Sequence, residues 1–346
     1  MKIAVFGASV SHQTTNHATG EVTGYAECLR REHAAALGAT AIRQITYPGS
    51  RLSDGGLLRL ADVIAWKPDI CLFEPLIEDS RRGANSVTAE KRYVYLSLLE
   101  AGILPVTLLL PAPFGKPASQ IPHYDQFIAL TKQYGLPAIE VTLEGVDARE
   151  TKFKGVHTLL EGARIYARQI ADALQGLPDP QSVAKTALAR ALASGRPTLT
   201  LSHLQPPTGT GGTITSMALA VVSEYPGPVR IRLVQPQSIG TFSPVLDVTL
   251  TQDGATPIMM QKLSVWDEFC HYTRRSYVML TDTVLNGPGR FSLTLKVSET
   301  APDYSQCREA VADWPTARYL EPTGGPVLIS ERPVIASLTQ YNTTPA

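Results

Sequence analysis

Short apolar runs alternate, along the first half of the chain, with segments in which apolar residues recur every three or four positions. The apolar runs are bounded by turn residues and predict five strands, over residues 2–6, 41–47, 69–75, 104–110 and 138–141. The segments between and after them predict helices, over about residues 24–37, 57–65, 88–101, 124–134 and 158–174. Five strand–helix units in succession indicate a flavodoxin-like α/β fold, with a parallel sheet covered by helices on both faces.

The second half of the chain has a different pattern, in which apolar and polar residues alternate with period two. Val229, Ile231 and Leu233 alternate with Arg230 and Arg232, so one face of that strand is buried and the other meets water. Turns rich in Pro and Gly separate short predicted strands over residues 198–201, 218–223, 229–234, 245–251, 277–280, 291–297 and 334–338. This alternation predicts an antiparallel β-sandwich or jelly roll.

The change of pattern divides the chain into two predicted domains. We expect an α/β domain over residues 1–176, a linker with a short helix over 177–197, and a β-sandwich domain over 198–346. The length of 346 residues agrees with this division, because single hydrophobic cores rarely grow so large.

The charge balance narrows the classes of function. The chain carries 31 basic and 31 acidic side chains and has no block of like charges. A nucleic-acid-binding domain usually has an excess of basic residues, so nucleic acid is not an expected partner.

The compartment is inferred from targeting signals that the sequence lacks. Residues 1–7 are typical of a first strand and have neither the basic start nor the cleavage site of a signal peptide. The longest apolar run, residues 103–113, is interrupted by Pro105 and Pro111 and is about half the length that spans a bilayer. We therefore expect a cytoplasmic protein with no membrane span.

The cysteines and histidines indicate no metal site. Cys28 and Cys71 fall in a predicted helix and a predicted strand, where reduced core cysteines are usual. Whether Cys270 and Cys307 form a disulfide is left open by their spacing. The histidines in the loop of residues 11–19 have no carboxylate or cysteine at ligand spacing, so we expect no metal and no other cofactor.

Two loops at the carboxyl edge of the predicted sheet carry candidate chemistry. Ser9 follows the first strand, and His157 precedes the fifth helix. In the strand order 2-1-3-4-5 both loops open on the same edge of the sheet, where the sites of parallel sheets lie. A serine and a histidine placed together there form a nucleophile and its base. A dinucleotide-binding loop is the weaker interpretation, because Ser9 and His12 stand where its fingerprint needs glycine.

The motifs around these residues resemble those of the SGNH (GDSL-like) hydrolases, over residues 1 to about 175. The family's first block is similar to Phe6-Gly7-Ala8-Ser9, and its second block to Tyr47-Pro48-Gly49-Ser50. Its last block is similar to the run from His157 through Gly162 to Tyr166-Ala167. The resemblance implies that Ser9 is the nucleophile, that His157 is the general base, and that backbone amides of Ser9 and Gly49 form the oxyanion hole.

The last block departs from the family pattern at one position. Lys154 stands where the family has an acid, three residues before the histidine, and a cation cannot orient an imidazole or stabilise an imidazolium. Asp147, Glu150, Glu74 or a backbone carbonyl are the alternatives for that role.

The third block departs as well. Glu78 stands where the family has an asparagine that donates to the oxyanion, and a carboxylate at that place repels the developing charge. Asn85, seven residues later in the same loop, is the candidate donor in its place.

Three functions remain open at this point. The interpretation that the resemblance implies, and that we favour, is a serine-dependent hydrolase or transferase of O-acyl esters, above all acetyl esters, on a carbohydrate or other small ester substrate. The second is a catalytically degenerate scaffold or glycan-binding protein in the biosynthesis of a polysaccharide such as cellulose. The third is a different use of the same fold.

The β-rich half contains one concentration of aromatic and basic residues, at residues 266–275. Aromatic rings stack on sugars and arginines bind acidic groups, so one interpretation is an edge that binds glycans. The interpretation we favour is a partly buried interface with a rim of ion pairs. The role of the β-domain is thus open between glycan binding and the formation of a homo-oligomer.

Overall fold

The computed structural model describes residues 1–12, 15–16, 21–22, 24–77, 88–112, 116–143, 153–154, 157–205, 212–254, 257–311 and 313–344. The chain divides into two compact units, Met1–Pro197 and Thr198–Ala346. No helix in the part of the chain that the structure describes is long and apolar enough to cross a membrane.

The first unit contains a five-stranded parallel sheet in the order β2-β1-β3-β4-β5, which confirms the predicted α/β fold. Its strands are β1 (Lys2–Gly7), β2 (Ala41–Gln44), β3 (Ile70–Glu74), β4 (Leu104–Leu109) and β5 (Ala138–Glu140). The central strands β3 and β4 are buried at every residue, because helices cover both faces of the sheet. This is why their sequences are apolar runs without alternation.

Helices flank the sheet at the places where the apolar periodicity predicts them. They are α1 (Tyr25–Cys28), α2 (Leu57–Trp66), α3 (Thr88–Glu100), α4 (Tyr124–Tyr134), α5 (Leu160–Gln175) and α6 (Pro180–Ala193). The first predicted helix is longer than α1, which continues as a π-helical turn, Leu29–His33, and then as non-helical turns over residues 34–38. Another π-helical turn, Leu52–Gly56, leads into α2.

The segment predicted as a linker, residues 177–197, lies within the first unit. Asp179 caps α6 by accepting a hydrogen bond from the Ser182 amide at 2.8 Å, and α6 packs on α3, α4 and β4. Beyond the helix, Arg92 of α3 donates to the carbonyl oxygens of Ser194 and Gly195, at 2.8 and 2.7 Å. These contacts make the segment part of the α/β unit, so the boundary lies at Pro197.

The second unit consists of two antiparallel sheets. One contains β6 (Thr200–His203), β13 (Val327–Ser330), β8 (Pro228–Ile239) and β11 (Arg274–Asn286) in that order, with the two-residue strand Glu321–Pro322 also paired to β8. The other contains β10 (Pro257–Ser264), β9 (Val245–Gln252), β12 (Gly289–Val297), β7 (Thr213–Ser223) and β14 (Ile335–Thr344) in that order.

The core of the second unit lies between these sheets, as in a β-sandwich. Ile231 and Leu233 of one sheet and Val248 and Leu293 of the other belong to a single cluster of buried apolar side chains. The predicted alternation is observed on β12, whose alternate residues are buried. On β8 it is observed only in part, because Arg232, which was expected to meet water, is buried as well. Strands β10 and β13 were not predicted.

Candidate active site

The turn that carries Ser9 follows β1 directly. Residues Ser9–Ser11 form a single 3-10 turn, which is closed by a hydrogen bond from the His12 amide to the Ser9 carbonyl at 3.1 Å. The side chain of Ser9 is partly exposed. Because β1 lies between β2 and β3, Ser9 is at the point where the strand order reverses, which is where parallel sheets place their sites.

Gly7 allows this turn to fold back against β3. A Cβ atom added at Gly7 would lie 2.5 Å from the Ser11 Oγ and 2.7 Å from the carbonyl oxygen of Glu74. Both distances are shorter than a carbon atom can tolerate, so only glycine permits the close approach. The glycine of the first motif therefore sets the position of the serine that follows it.

His157 lies beside the Ser9 turn. It belongs to a two-residue strand, His157–Thr158, that precedes α5 and lies against Ser9–Ser11 with Cα atoms within 8 Å. Its side chain is partly exposed, and Thr158 is buried. The structure thus brings together the two segments for which the sequence predicts the nucleophile and the base.

The strand of His157 is paired with the strand of Lys154. Phe153–Lys154 and His157–Thr158 are antiparallel, and the register places Lys154 directly opposite His157. The position that corresponds to the acid of the SGNH motif, which the sequence resembles, is therefore the cross-strand neighbour of the histidine.

Gly49 lies on the loop after β2, and hydrogen bonds from the last residue of β2 and from this loop reach β1 and the Ser9 turn. The Tyr47 amide donates to the Gly7 carbonyl at 3.0 Å, and the Gln44 side chain donates to the Ser11 carbonyl at 3.3 Å. The third bond joins the His12 Nδ1 and the Thr46 Oγ1 at 2.8 Å. Gly49 itself is exposed.

The backbone of Gly49 has a conformation that favours glycine. Its φ is +72°, and among the described residues, its two chain neighbours aside, no atom lies within 4 Å of the place that a Cβ would take. Its role in the turn is therefore conformational and not one of close packing.

A buried polar network lies beneath the Ser9 turn. Glu74, at the end of β3, is fully buried, and its carboxylate accepts hydrogen bonds from the Ile77 amide at 3.1 Å and from the Ser11 Oγ at 3.5 Å. The Ser11 Oγ is also 2.7 Å from the Tyr25 hydroxyl. Of the candidate acids, Glu74 is thus placed among the groups that support the turn.

Two buried tyrosines, one in this network and one beside it, are held in the protonated form. Burial raises the pKa of Tyr25 and of Tyr166 far above the ordinary value, and the negative charge of Glu74 raises both further. The two rings are neighbours, with centroids 6.2 Å apart. They supply neutral groups around the buried carboxylate.

Sequence reasoning missed Ser11, Tyr25 and Thr46 and treated His12 as a loop residue. Ser11 and His12 follow Ser9 within three positions, but their partners Tyr25 and Thr46 lie on other elements. The spacing along the chain gives no signal for such pairs.

Several predicted site residues fall outside the described residues. They are Glu78, Asn85, Asp147 and Glu150. For Lys154 the structure describes the strand but not the side chain. Among the residues it does describe, no three His, Cys, Asp or Glu side chains are grouped to hold a metal ion.

The aromatic and basic segment of the second unit, residues 266–275, forms ion pairs and hydrogen bonds within the segment and with a neighbouring loop. Arg274 pairs with Asp267 and donates to the carbonyl oxygen of Phe269 at 3.1 Å. Arg308, from the neighbouring loop, pairs with Glu268 at 2.8 Å. Both arginines therefore form their ion pairs with carboxylates of the second unit itself.

A solved structure of a two-domain esterase shares the fold of this chain. A two-domain esterase (CEX) active on acetylated mannans is 12% identical and aligns with 94% of this chain and 90% of its own, with a TM-score of 0.54. This alignment includes both units, so the combination of an α/β unit and a β-sandwich is that of a known two-domain esterase.

Two further structures align with only half of the chain. A lipase/acylhydrolase from Enterococcus faecalis is 20% identical over 51% of this chain and 95% of its own, with a TM-score of 0.40. A putative SGNH hydrolase from Slackia heliotrinireducens is 21% identical over 50% of this chain and 98% of its own, with a TM-score of 0.35. No protein-family profile and no curated protein sequence matches the chain.

Proposed function

We propose that this chain is an SGNH-type serine esterase that removes acyl groups, above all acetyl groups, from the oxygen atoms of a carbohydrate. The observation that carries the proposal is the placement of the Ser9 turn beside the His157 strand, at the point where the strand order reverses. The two-domain esterase fold agrees with this chemistry.

In this mechanism Ser9 attacks the carbonyl carbon of the ester. His157 takes the proton from the Ser9 hydroxyl as the bond forms, and later gives it to the departing sugar oxygen. The acyl group then rests on Ser9 until water removes it, with His157 again acting as the base. A sugar hydroxyl in the place of this water would make the same site a transferase.

The oxyanion of the tetrahedral intermediate would be held by backbone amides of Ser9 and Gly49, with Asn85 as the third donor. Donors of this kind act best when they are fixed before the reaction begins. The hydrogen bonds that join the loop after β2 to β1 and the Ser9 turn support this role, because they restrict the movement of one loop against the other.

A carbohydrate substrate is proposed from two features. The two-domain esterase that shares this fold acts on acetylated mannans. The balanced charge of the chain also suits an uncharged substrate better than a nucleic acid or another polyanion.

A second candidate function is a non-catalytic protein that binds a glycan with the same fold. The register that pairs Lys154 with His157 favours it, since a cation at the family's acid position opposes the formation of an imidazolium. The two candidates predict opposite results in an assay of turnover.

The deciding experiment measures p-nitrophenyl acetate hydrolysis, and acetate release from acetylated mannan, by the wild type and by Ser9→Ala. We expect Ser9→Ala to lose at least about a thousandfold in kcat/KM, because removal of the nucleophile of a serine hydrolase costs up to about a millionfold in kcat. Ser50→Ala is the matched control, because the buried Ser50 hydroxyl has no hydrogen-bond partner among the described residues. Equal rates for the wild type and Ser9→Ala would favour the non-catalytic protein.

A further inference from the structure

Three side chains of the second unit form a group with the chemistry of a nucleophile, a base and an acid. The Sγ of Cys307 lies 3.6 Å from the Nδ1 of His271. The Nε2 of the same imidazole lies 3.7 Å from the Oε1 of Glu309. None of these residues belongs to the proposed esterase site.

Backbone contacts on both sides of Cys307 hold the group in place. The Cys307 amide donates to the Tyr304 carbonyl at 3.1 Å, and the Arg308 amide donates to the Glu268 carbonyl at 2.9 Å. The Arg308 side chain adds its ion pair with Glu268 and lies 4.4 Å above the centre of the Phe269 ring. These contacts hold the loop with Cys307 against the loop with His271, so the two side chains have a defined relative position.

Cys307 differs from the other three cysteines of the chain, all of which the structure describes. Cys28, Cys71 and Cys270 are buried, whereas Cys307 is partly exposed. Burial raises the pKa of each buried thiol, that of Cys270 to about 11, and so keeps these thiols protonated and unreactive. Only Cys307 combines access from solvent with a neighbouring base.

The imidazole has little freedom, and the carboxylate is open to solvent. The His271 side chain is 13% exposed, and that of Glu309 is 75% exposed. A carboxylate at this distance stabilises the positive charge that an imidazole acquires when it takes a proton. His271 can thus accept the thiol proton while Glu309 faces it from the other side.

We propose that Cys307 is a nucleophilic thiol, with His271 as its base, and that it is a modification site for small neutral electrophiles, of which hydroperoxides are the biological class. With hydrogen peroxide the sulfur forms a bond to one oxygen atom and the O–O bond breaks. The thiol proton passes through His271 to the leaving hydroxide and forms water. The sulfur is oxidised to a sulfenic acid and the peroxide is reduced. This site is independent of the esterase proposal.

The experiment treats the full chain with limiting iodoacetamide at neutral pH and follows each cysteine by peptide mass spectrometry. Here the sulfur displaces iodide from carbon and the proton again goes to His271. We expect Cys307 to react about ten times faster than free N-acetylcysteine at the same pH, and the three buried cysteines to react far more slowly. A Cys307 rate equal to or below that of the free thiol would overturn the proposal.

Two variants separate base assistance from simple exposure. His271→Gln keeps Cys307 accessible but removes the base, and we expect the Cys307 rate to fall about tenfold. Glu309→Gln lies at a well-exposed position that does not endanger folding, and we expect a fall of about two- to threefold. Glu299→Gln, another carboxylate of the second unit, is the matched control with an unchanged rate. An unchanged rate in His271→Gln would contradict the role of His271, and an unchanged rate in Glu309→Gln would contradict the supporting role of Glu309.

A peroxide assay provides a readout that exposure alone would not give. The chain is treated with hydrogen peroxide and dimedone, which labels sulfenic acids, and the labelled peptide is identified. We expect the label on Cys307 in the wild type and its loss in His271→Gln. Equal labelling in the two proteins would count against the proposal, whatever the esterase assay shows.

Discussion

The Nδ1 of His12 lies 2.8 Å from the Oγ1 of Thr46, and this contact joins the turn of Ser9 to the loop of Gly49. The proposed nucleophile and one proposed oxyanion donor are on different loops, each after a different strand of the sheet. Their relative position therefore depends on side-chain contacts between the loops as well as on the pairing of β1 with β2.

The first prediction concerns this contact. Thr46→Val removes the hydroxyl and keeps the shape of the side chain, so we expect kcat/KM to fall about fivefold. A hydrogen bond of this kind contributes about 1 kcal/mol, which corresponds to that factor when it is lost in the transition state. The measurement is ester hydrolysis by the wild type and the variant. Thr142→Val, at an exposed threonine after β5, is the control, and an equal loss in the two variants would refute the prediction.

The second prediction concerns pH and His12. Desolvation lowers the pKa of His12 from its ordinary value of 6.5, so the folded chain binds this proton more weakly than the unfolded chain does. The contribution of neutral His12 to stability is complete above pH 6.5 and is lost as the pH falls through the lower pKa of the folded state. We expect the free energy of unfolding to decline less steeply with acidification in His12→Gln than in the wild type. Urea unfolding between about pH 5 and pH 8 measures this difference, and parallel curves would contradict it.

The third prediction contrasts two glycines of the site. In Gly7→Ala the new Cβ meets the Glu74 carbonyl oxygen, which is backbone and cannot turn aside. We expect a loss of about 2–3 kcal/mol in stability and of most of the activity, because the Ser9 turn must move. In Gly49→Ala the Cβ enters open space and only the left-handed φ opposes it, so we expect a loss of about 1 kcal/mol and activity close to that of the wild type. Thermal unfolding and ester hydrolysis distinguish the two, and the reverse ranking would refute the argument.

Much of the fold is encoded in local pattern, and the exceptions have physical causes. Strands β3 and β4 are apolar throughout because both of their faces are covered. Strand β10 was missed because it is an edge strand whose residues are mostly exposed, with Met260 75% exposed. Strand β13 was missed because it has only four residues, all of them buried, and so shows no alternation.

The parts of the candidate site that follow directly from the ends of strands could be predicted from the sequence. The contacts between side chains of different elements could not. Ser9 and Gly49 follow strands whose order in the sheet could be inferred, and that order places their loops together. The contact of Ser11 with Tyr25 depends on where α1 lies relative to the turn that follows β1. No spacing in the sequence encodes it, because the partners approach only after the helix has docked.

The fourth prediction concerns the buried carboxylate of Glu74. An amide at this position has one oxygen in the place of two, so Glu74→Gln loses an acceptor for either the Ile77 amide or the Ser11 hydroxyl. We expect a loss of about 1–3 kcal/mol in the free energy of unfolding, the usual effect of an unsatisfied buried polar group. Glu140→Gln is the matched control. Like Glu74, Glu140 is the last residue of a strand and accepts a hydrogen bond, here from the Tyr124 hydroxyl at 3.4 Å, but its side chain is exposed to solvent. Equal and small effects in urea unfolding would show that Glu74 does not support the turn.

The last prediction concerns Lys154, whose strand pairs it directly with His157. Residues that face each other in an antiparallel pair have Cβ atoms about 4.5–5.5 Å apart, which is within reach of a short carboxylate. Lys154→Asp therefore places an acid where it can accept the imidazole N–H and stabilise the imidazolium.

We expect kcat for ester hydrolysis to rise about tenfold in Lys154→Asp, with KM little changed, because the interaction strengthens only as His157 becomes charged. Lys154→Asn is the control, since it removes the cation without adding a negative charge, and its gain is expected to be smaller. Equal gains in the two variants would mean that the lysine opposes catalysis by its charge alone. No gain in either variant would mean that a group other than residue 154 already orients His157.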